Sequence, residues 1–144
     1  MNLHFLRSLS VLGLSALLWG AVPPESPVAD AAMRADLDKV RLLLRGGADV
    51  NVAQGDGMTA LHWSAENRSA EMAAMLIYAG ANMEAVTRIG GYTSLHLASR
   101  SGSAAVVQEL LEAGANPAVR TSTGGATPLH FAASASSKGS VISL

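Results

Sequence analysis

Apolar residues recur along this chain in short helical triplets. Val40, Leu43 and Leu44 form one, Ala73, Leu76 and Ile77 a second, and Val107, Leu110 and Leu111 a third. The i, i+3, i+4 spacing puts each triplet on one face of a helix. Glycines follow each triplet, Gly46 and Gly47, then Gly80, then Gly114. They stand where a helix C-terminus favours a residue tolerant of positive φ. A second apolar pattern alternates with the triplets, in "MTALHWSAEN" (58–67), "YTSLHLASRS" (92–101) and "ATPLHFAASA" (126–135). Each of these segments predicts another short helix that begins at a threonine. Thr59, Thr93 and Thr127 are N-cap candidates, whose hydroxyls can accept from orphan first-turn amides. Pro128 falls just inside its helix, where a missing N–H costs little. Ala60 and Ser94 replace that proline in the other two segments.

The two patterns keep one beat. Thr59, Thr93 and Thr127 are 34 residues apart, as are His62, His96 and His130. "GGADVN" (46–51), "AGANME" (79–84) and "AGANPA" (113–118) follow the same rhythm. Each unit therefore reads as a helix, a tight turn, a second helix and a loop. "TPLHFAA" and "GADVN" at this period resemble the ankyrin repeat. The resemblance covers residues 26–144 and implies an all-α solenoid of stacked helix-turn-helix units. Its units are expected at 26–58, 59–92 and 93–126, with a partial one at 127–144. The loop is 11 residues from Ala48 to Thr59, but 12 from Ala81 to Thr93 and from Ala115 to Thr127. The later tips thus carry one extra residue, expected as a bulge, and both place a Gly-Gly pair there.

"SPVADAA" (26–32) keeps the register, 33 residues before Thr59. Ser26 is expected as its N-cap and Pro27 as its first helical residue. This is expected to be a capping unit, with Asp30, Arg34, Asp36 and Asp38 giving its first helix a polar outer face. At the other end Val141 and Leu144 align with Val107 and Leu110, so the second helix of a fourth unit breaks off as its stripe begins. A truncated chain is the expectation there, with 137–144 the least stable part.

Before the repeat, "MNLHFLR" carries Arg7, "SLSVLGLSALLWGAV" is uncharged, and "PPE" ends the run. This order reads as a secretory signal over 1–22, followed by a linker at 23–25. The run of about 15 residues is short for a spanning helix of ~20. An uncleaved anchor over 8–22 stays open as the alternative. Cleavage is expected after Ala21, because a cut after Ala29 or Ala31 would remove the first helix of the array. The protein is expected to be exported, periplasmic or secreted.

The chain is 49% hydrophobic but only 4% aromatic, so alanine and leucine supply most of the core. A net charge of -1 gives no reason to expect nucleic acid as a partner. With no cysteine, disulfides, thiolate metal sites and cysteine nucleophiles are excluded. The three histidines invite a metal reading, but equivalent residues of stacked helices lie roughly 8–10 Å apart. Nitrogens that share a zinc at ~2.0–2.1 Å must lie much closer together. Each histidine is expected to bond threonine and backbone groups between units, as the family's histidine does. "GDG" (55–57) lacks the further ligands of a calcium loop, and the Gly-Gly pairs lack a phosphate-binding lysine. No catalytic residue, cofactor or metal is expected.

The resemblance implies that the loop tips and the concave side of the first helices meet a partner. Its contact positions fall on Asp56, Met58, Ile89, Tyr92 and Thr123 at the tips, and on Glu66, Asn67, Arg100 and Ser101 on the helices. Met58, Ile89 and Tyr92 are the exposed apolar or aromatic candidates among them. Trp63 reads as packing between units. The expected function is a monomeric, non-catalytic module that binds another protein. The alternative is a substrate-recognition or scaffolding part of a longer protein, with an enzyme attached.

Overall fold

The computed structural model describes residues 25–136. The signal segment at 1–22 and the apolar pair Val141 and Leu144 lie outside the described residues. Among the described residues there are seven helices and no strand. They are α1 (Pro27–Met33), α2 (Leu37–Arg45), α3 (Ala60–Glu66), α4 (Ala70–Tyr78), α5 (Ser94–Ser101), α6 (Ala104–Glu112) and α7 (Pro128–Ser136). First helices pack on first helices, α1 on α3, α3 on α5 and α5 on α7, while α4 packs on α6 behind them. The fold is the all-α repeat solenoid that the 34-residue beat predicts.

The core runs between the two rows. Val28, Leu61 and Leu95 come from the first helices, and Val40, Leu76 and Leu110 from the second; all six are at most 1% exposed. Burying a leucine or valine fully contributes about 1.5–3 kcal/mol. Alanines let the rows approach closely: Ala29, Ala31, Ala32, Ala60, Ala65 and Ala98 have no accessible surface.

Local chemistry sets the helix ends. The second helices start at Asp36, Ser69 and Ser103, whose side chains accept from the amides of Lys39, Met72 and Val106. Gly47, Gly80 and Gly114 take positive φ after these helices. Gly46 has φ -77 and caps α2 in an ordinary conformation, so only its neighbour needs the left-handed region. Two features of the first unit differ from expectation. Ser26 stands at the N-cap of α1, but its hydroxyl makes no capping bond and donates instead to the Asp30 carboxylate at 3.2 Å. Asp36 and Asp38 belong to α2, as its cap and its first turn, because α1 already ends at Met33. That helix buries Val28, Ala29, Ala31 and Ala32, and of the four expected polar residues it carries only Asp30.

Neighbouring units are stitched by side chains at equivalent places. Asn67 donates to the Ala32 carbonyl at 2.7 Å, and Ser101 donates to the Ala65 carbonyl at 3.0 Å. Asn51 accepts from the Asn82 amide at 2.7 Å, and Glu84 accepts from the Asn116 amide at 3.0 Å. The tips are joined as well, by Arg88 N–H to Asp56 O and by Ser122 N–H to Gly90 O. Within the tips the first loop closes from Gln54 to Met58, the second from Thr87 to Tyr92 and the third from Thr121 to Ala126. The later loops hold the extra residue inside that closure, where Gly90, Gly91, Gly124 and Gly125 all have positive φ.

Candidate functional site

His62 and His96 make the same arrangement in successive units. The Thr59 N–H donates to His62 Nδ1 at 3.1 Å, and the Thr59 hydroxyl lies 2.8 Å from the same nitrogen. His62 Nε2 lies 2.9 Å from the Tyr92 carbonyl of the following unit. His96 repeats this with Thr93 and with the Ala126 carbonyl at 3.1 Å. An amide proton aimed at Nδ1 and a carbonyl aimed at Nε2 require a neutral ring with its proton on Nε2. Burial holds both pKa values below the ordinary 6.5, against the opposing pull of those backbone carbonyls. The rings thus fasten one turn to the next and have no free nitrogen for a metal or a substrate. His130 pairs with Thr127 at 2.8 Å, but its ring is exposed. Among the described residues no three His, Cys, Asp or Glu side chains gather as a metal site would need. Also among them, no helix is long and apolar enough to cross a membrane.

A groove of about 400 Å³ lies between the first two tips and helices α3 and α5. Met58, Trp63, Ile89, Tyr92 and Leu97 supply its apolar surface, and Asp56, Glu66 and Arg100 its charge. Six of the residues singled out by position meet there: Asp56, Met58, Glu66, Ile89, Tyr92 and Arg100. Their exposure differs from expectation. Ile89 is 82% exposed, whereas Met58 and Tyr92 are half-buried and pack against the core. The closed loops explain the difference, because each of the two ends its loop closure just before the threonine cap of its helix and is drawn inward. Tyr92 also meets Phe131 and His96 edge to face, at centroid distances of 5.7 and 6.3 Å.

Asn67, Ser101 and Thr123 are placed elsewhere. The first two spend polar atoms on carbonyls of the preceding unit. Thr123 is exposed at the third tip, where its carbonyl accepts from the Thr121 hydroxyl at 3.3 Å. Trp63 joins packing to exposure. Its Nε1–H donates to Gln54 Oε1 at 2.7 Å, and Gln54 in turn donates to Asp30 at 2.6 Å. Leu97 was not singled out from sequence. Its signal was the register, since it stands 34 residues after Trp63.

Arg100 is held from two sides. It pairs with the Glu66 carboxylate of the preceding unit. Its guanidinium also lies 5.5 Å from the Tyr92 ring centroid, a cation–π distance.

The stacked helix pairs, the repeated Thr–His fastening and the glycine turns define a helical repeat protein. A family model described as "Ankyrin repeats (3 copies)" matches residues 28–121 and 90–144. The chain belongs to the ankyrin-repeat family. No curated protein matches the sequence. Ankyrin repeats are in general non-catalytic and bind other proteins.

Proposed function

We propose that this protein is a monomeric, non-catalytic binding module that works outside the cytoplasm. The groove between the first two tips and helices α3 and α5 would receive a partner protein. The observation that carries the reading is the groove itself: an apolar patch of Met58, Trp63, Ile89, Tyr92 and Leu97 rimmed by charge. Aromatic anchors with a polar rim are the usual makings of an interface hot spot. Export rests on residues 1–22, with membrane attachment following only if 8–22 stays uncleaved. If the chain is joined to an enzyme, the same groove becomes a substrate-recognition or scaffolding surface.

The test is affinity capture from the exported fraction with the wild-type chain and with Ile89→Asp. Ile89 is 82% exposed, so the change leaves the core untouched. A partner retained by the wild type and reduced about tenfold or more on the variant supports the groove. Equal retention on both places the interface elsewhere. N-terminal sequencing of the exported protein tests the signal: a start at Val22 supports cleavage after Ala21, and a start at Met1 supports an anchor.

A further inference from the structure

We infer that the groove takes an extended segment of a partner polypeptide that presents an arginine beside an apolar side chain. The inference rests on the binding-module reading above and adds the chemistry of the occupant. It follows from which charges in the groove are already spent. Arg100 is committed twice, to the Glu66 carboxylate and to the face of Tyr92. Asp56 is not. Its carboxylate accepts from the Met58 amide at 2.9 Å, and among the described residues no cationic side chain pairs with it. The Arg88 amide is bonded to the Asp56 carbonyl, which leaves the carboxylate outside that link. Asp56 is also exposed, at the mouth of a groove with an apolar floor. The unspent charge of the groove is therefore negative, and the complementary occupant is a cation.

The floor narrows the choice of cation. Trp63 is half-buried with its N–H turned to Gln54, and it lines the groove together with Asp56. A guanidinium can pair with a carboxylate in a planar fork and lie against an aromatic face. Among the described residues Arg100 shows the two halves of this behaviour, one nitrogen on the Glu66 carboxylate and the guanidinium over the Tyr92 ring. A partner arginine would combine a carboxylate and an aromatic face in the same way, with Asp56 and Trp63 of the groove lining. Ile89, standing out at the next tip, would meet the apolar neighbour of that arginine.

The experiment selects phage-displayed random dodecapeptides on the full chain. Enriched peptides are then measured against the wild type, Asp56→Asn and Ile89→Ser. Asparagine keeps an acceptor for the Met58 amide, so the turn persists while the charge is lost. The expected peptides carry arginine within a few residues of leucine, isoleucine or phenylalanine. They should bind Asp56→Asn about fivefold to tenfold more weakly. Replacing the peptide arginine by glutamine should cost the wild type that same factor and cost Asp56→Asn little more, which shows that the two groups are coupled. This second measurement stands even if the variant folds less well, because it compares two peptides on one protein. Peptides that lose affinity on Ile89→Ser, yet lack arginine or bind Asp56→Asn as tightly as the wild type, overturn the arginine and leave the groove as the binding face. A selection in which no peptide depends on either residue overturns the groove reading as well.

Discussion

The unit that starts at Thr93 and the unit that starts at Thr127 share one motif and differ in what covers it. Leu95 is 1% exposed, whereas Leu129 is 61% exposed. His96 has no accessible surface and reaches the Ala126 carbonyl of the following unit. His130 keeps the bond to Thr127, with its ring exposed. The helical start is thus encoded within the unit, by threonine and histidine three residues apart. Burial of the same residues depends on helices packed against the motif from outside it. Repeat stability of this kind is a sum of intrinsic terms and interface terms, and the motif supplies only the first.

The largest effect should come from truncating the two leucines. Leu95→Ala opens a cavity between α5 and its neighbours, and is expected to cost about 2–5 kcal/mol. Leu129→Ala removes a side chain that is mostly in water, and is expected to cost less than about 1 kcal/mol. Urea denaturation followed by circular dichroism measures both. Equal losses would mean that Leu129 is covered in solution, and the contrast between the units would disappear.

Much of this contrast was legible in the sequence, and the missing part has a physical cause. Thr59, Thr93 and the 34-residue beat announce the helix starts, because capping is local chemistry. The glycines announce the turns for the same reason. Exposure is another matter. Met58 and Tyr92 look like tip residues by position, but the Gln54–Met58 and Thr87–Tyr92 closures turn them toward the core. Asn67 and Ser101 hold the right register for contact, yet a carbonyl of the previous unit lies within reach and takes their hydrogen bonds. Ser26 holds the cap position, but Asp30, one helical turn later, offers its hydroxyl a carboxylate in place of a first-turn amide. In each case the deciding partner is three-dimensional, and the repeat pattern does not name it.

Acid should act on the interior units through the two buried histidines. Burial lowers the pKa of His62 and of His96 below 6.5, the value each approaches in the unfolded chain. Below 6.5 the unfolded chain therefore binds more protons than the folded one, and stability falls with pH. The loss begins as pH drops through 6.5 and continues down to the lowered folded values. A proton added at Nδ1 would also face the threonine amide that now donates there. Replacing His62 and His96 by glutamine should flatten this part of the profile, with melting temperatures between pH 7.5 and 5 as the readout. A profile equally steep in the double variant would assign the acid sensitivity to other groups.

A further modest effect is expected as a gain, made by moving one residue of the last unit into the interior. Pro128 opens α7, and Ser94 holds the equivalent first position of α5. Ser94 has no accessible surface, and its hydroxyl has no hydrogen-bond partner. A buried hydroxyl left unpaired costs free energy that a proline at that place would not. The site also suits a proline backbone. Thr93 is extended, with φ -82 and ψ 167, the conformation favoured before proline. A first-turn N–H is an orphan that the helix does not use. Restricting the unfolded chain adds about 0.4–1 kcal/mol at a compatible site. Ser94→Pro is therefore expected to raise stability by about 1 kcal/mol, read as a shift of the urea midpoint at unchanged slope. A drop in the midpoint would show that the closer packing around α5 refuses the ring that the more open α7 accepts. In that case the interior and the last unit would differ in backbone room as well as in cover.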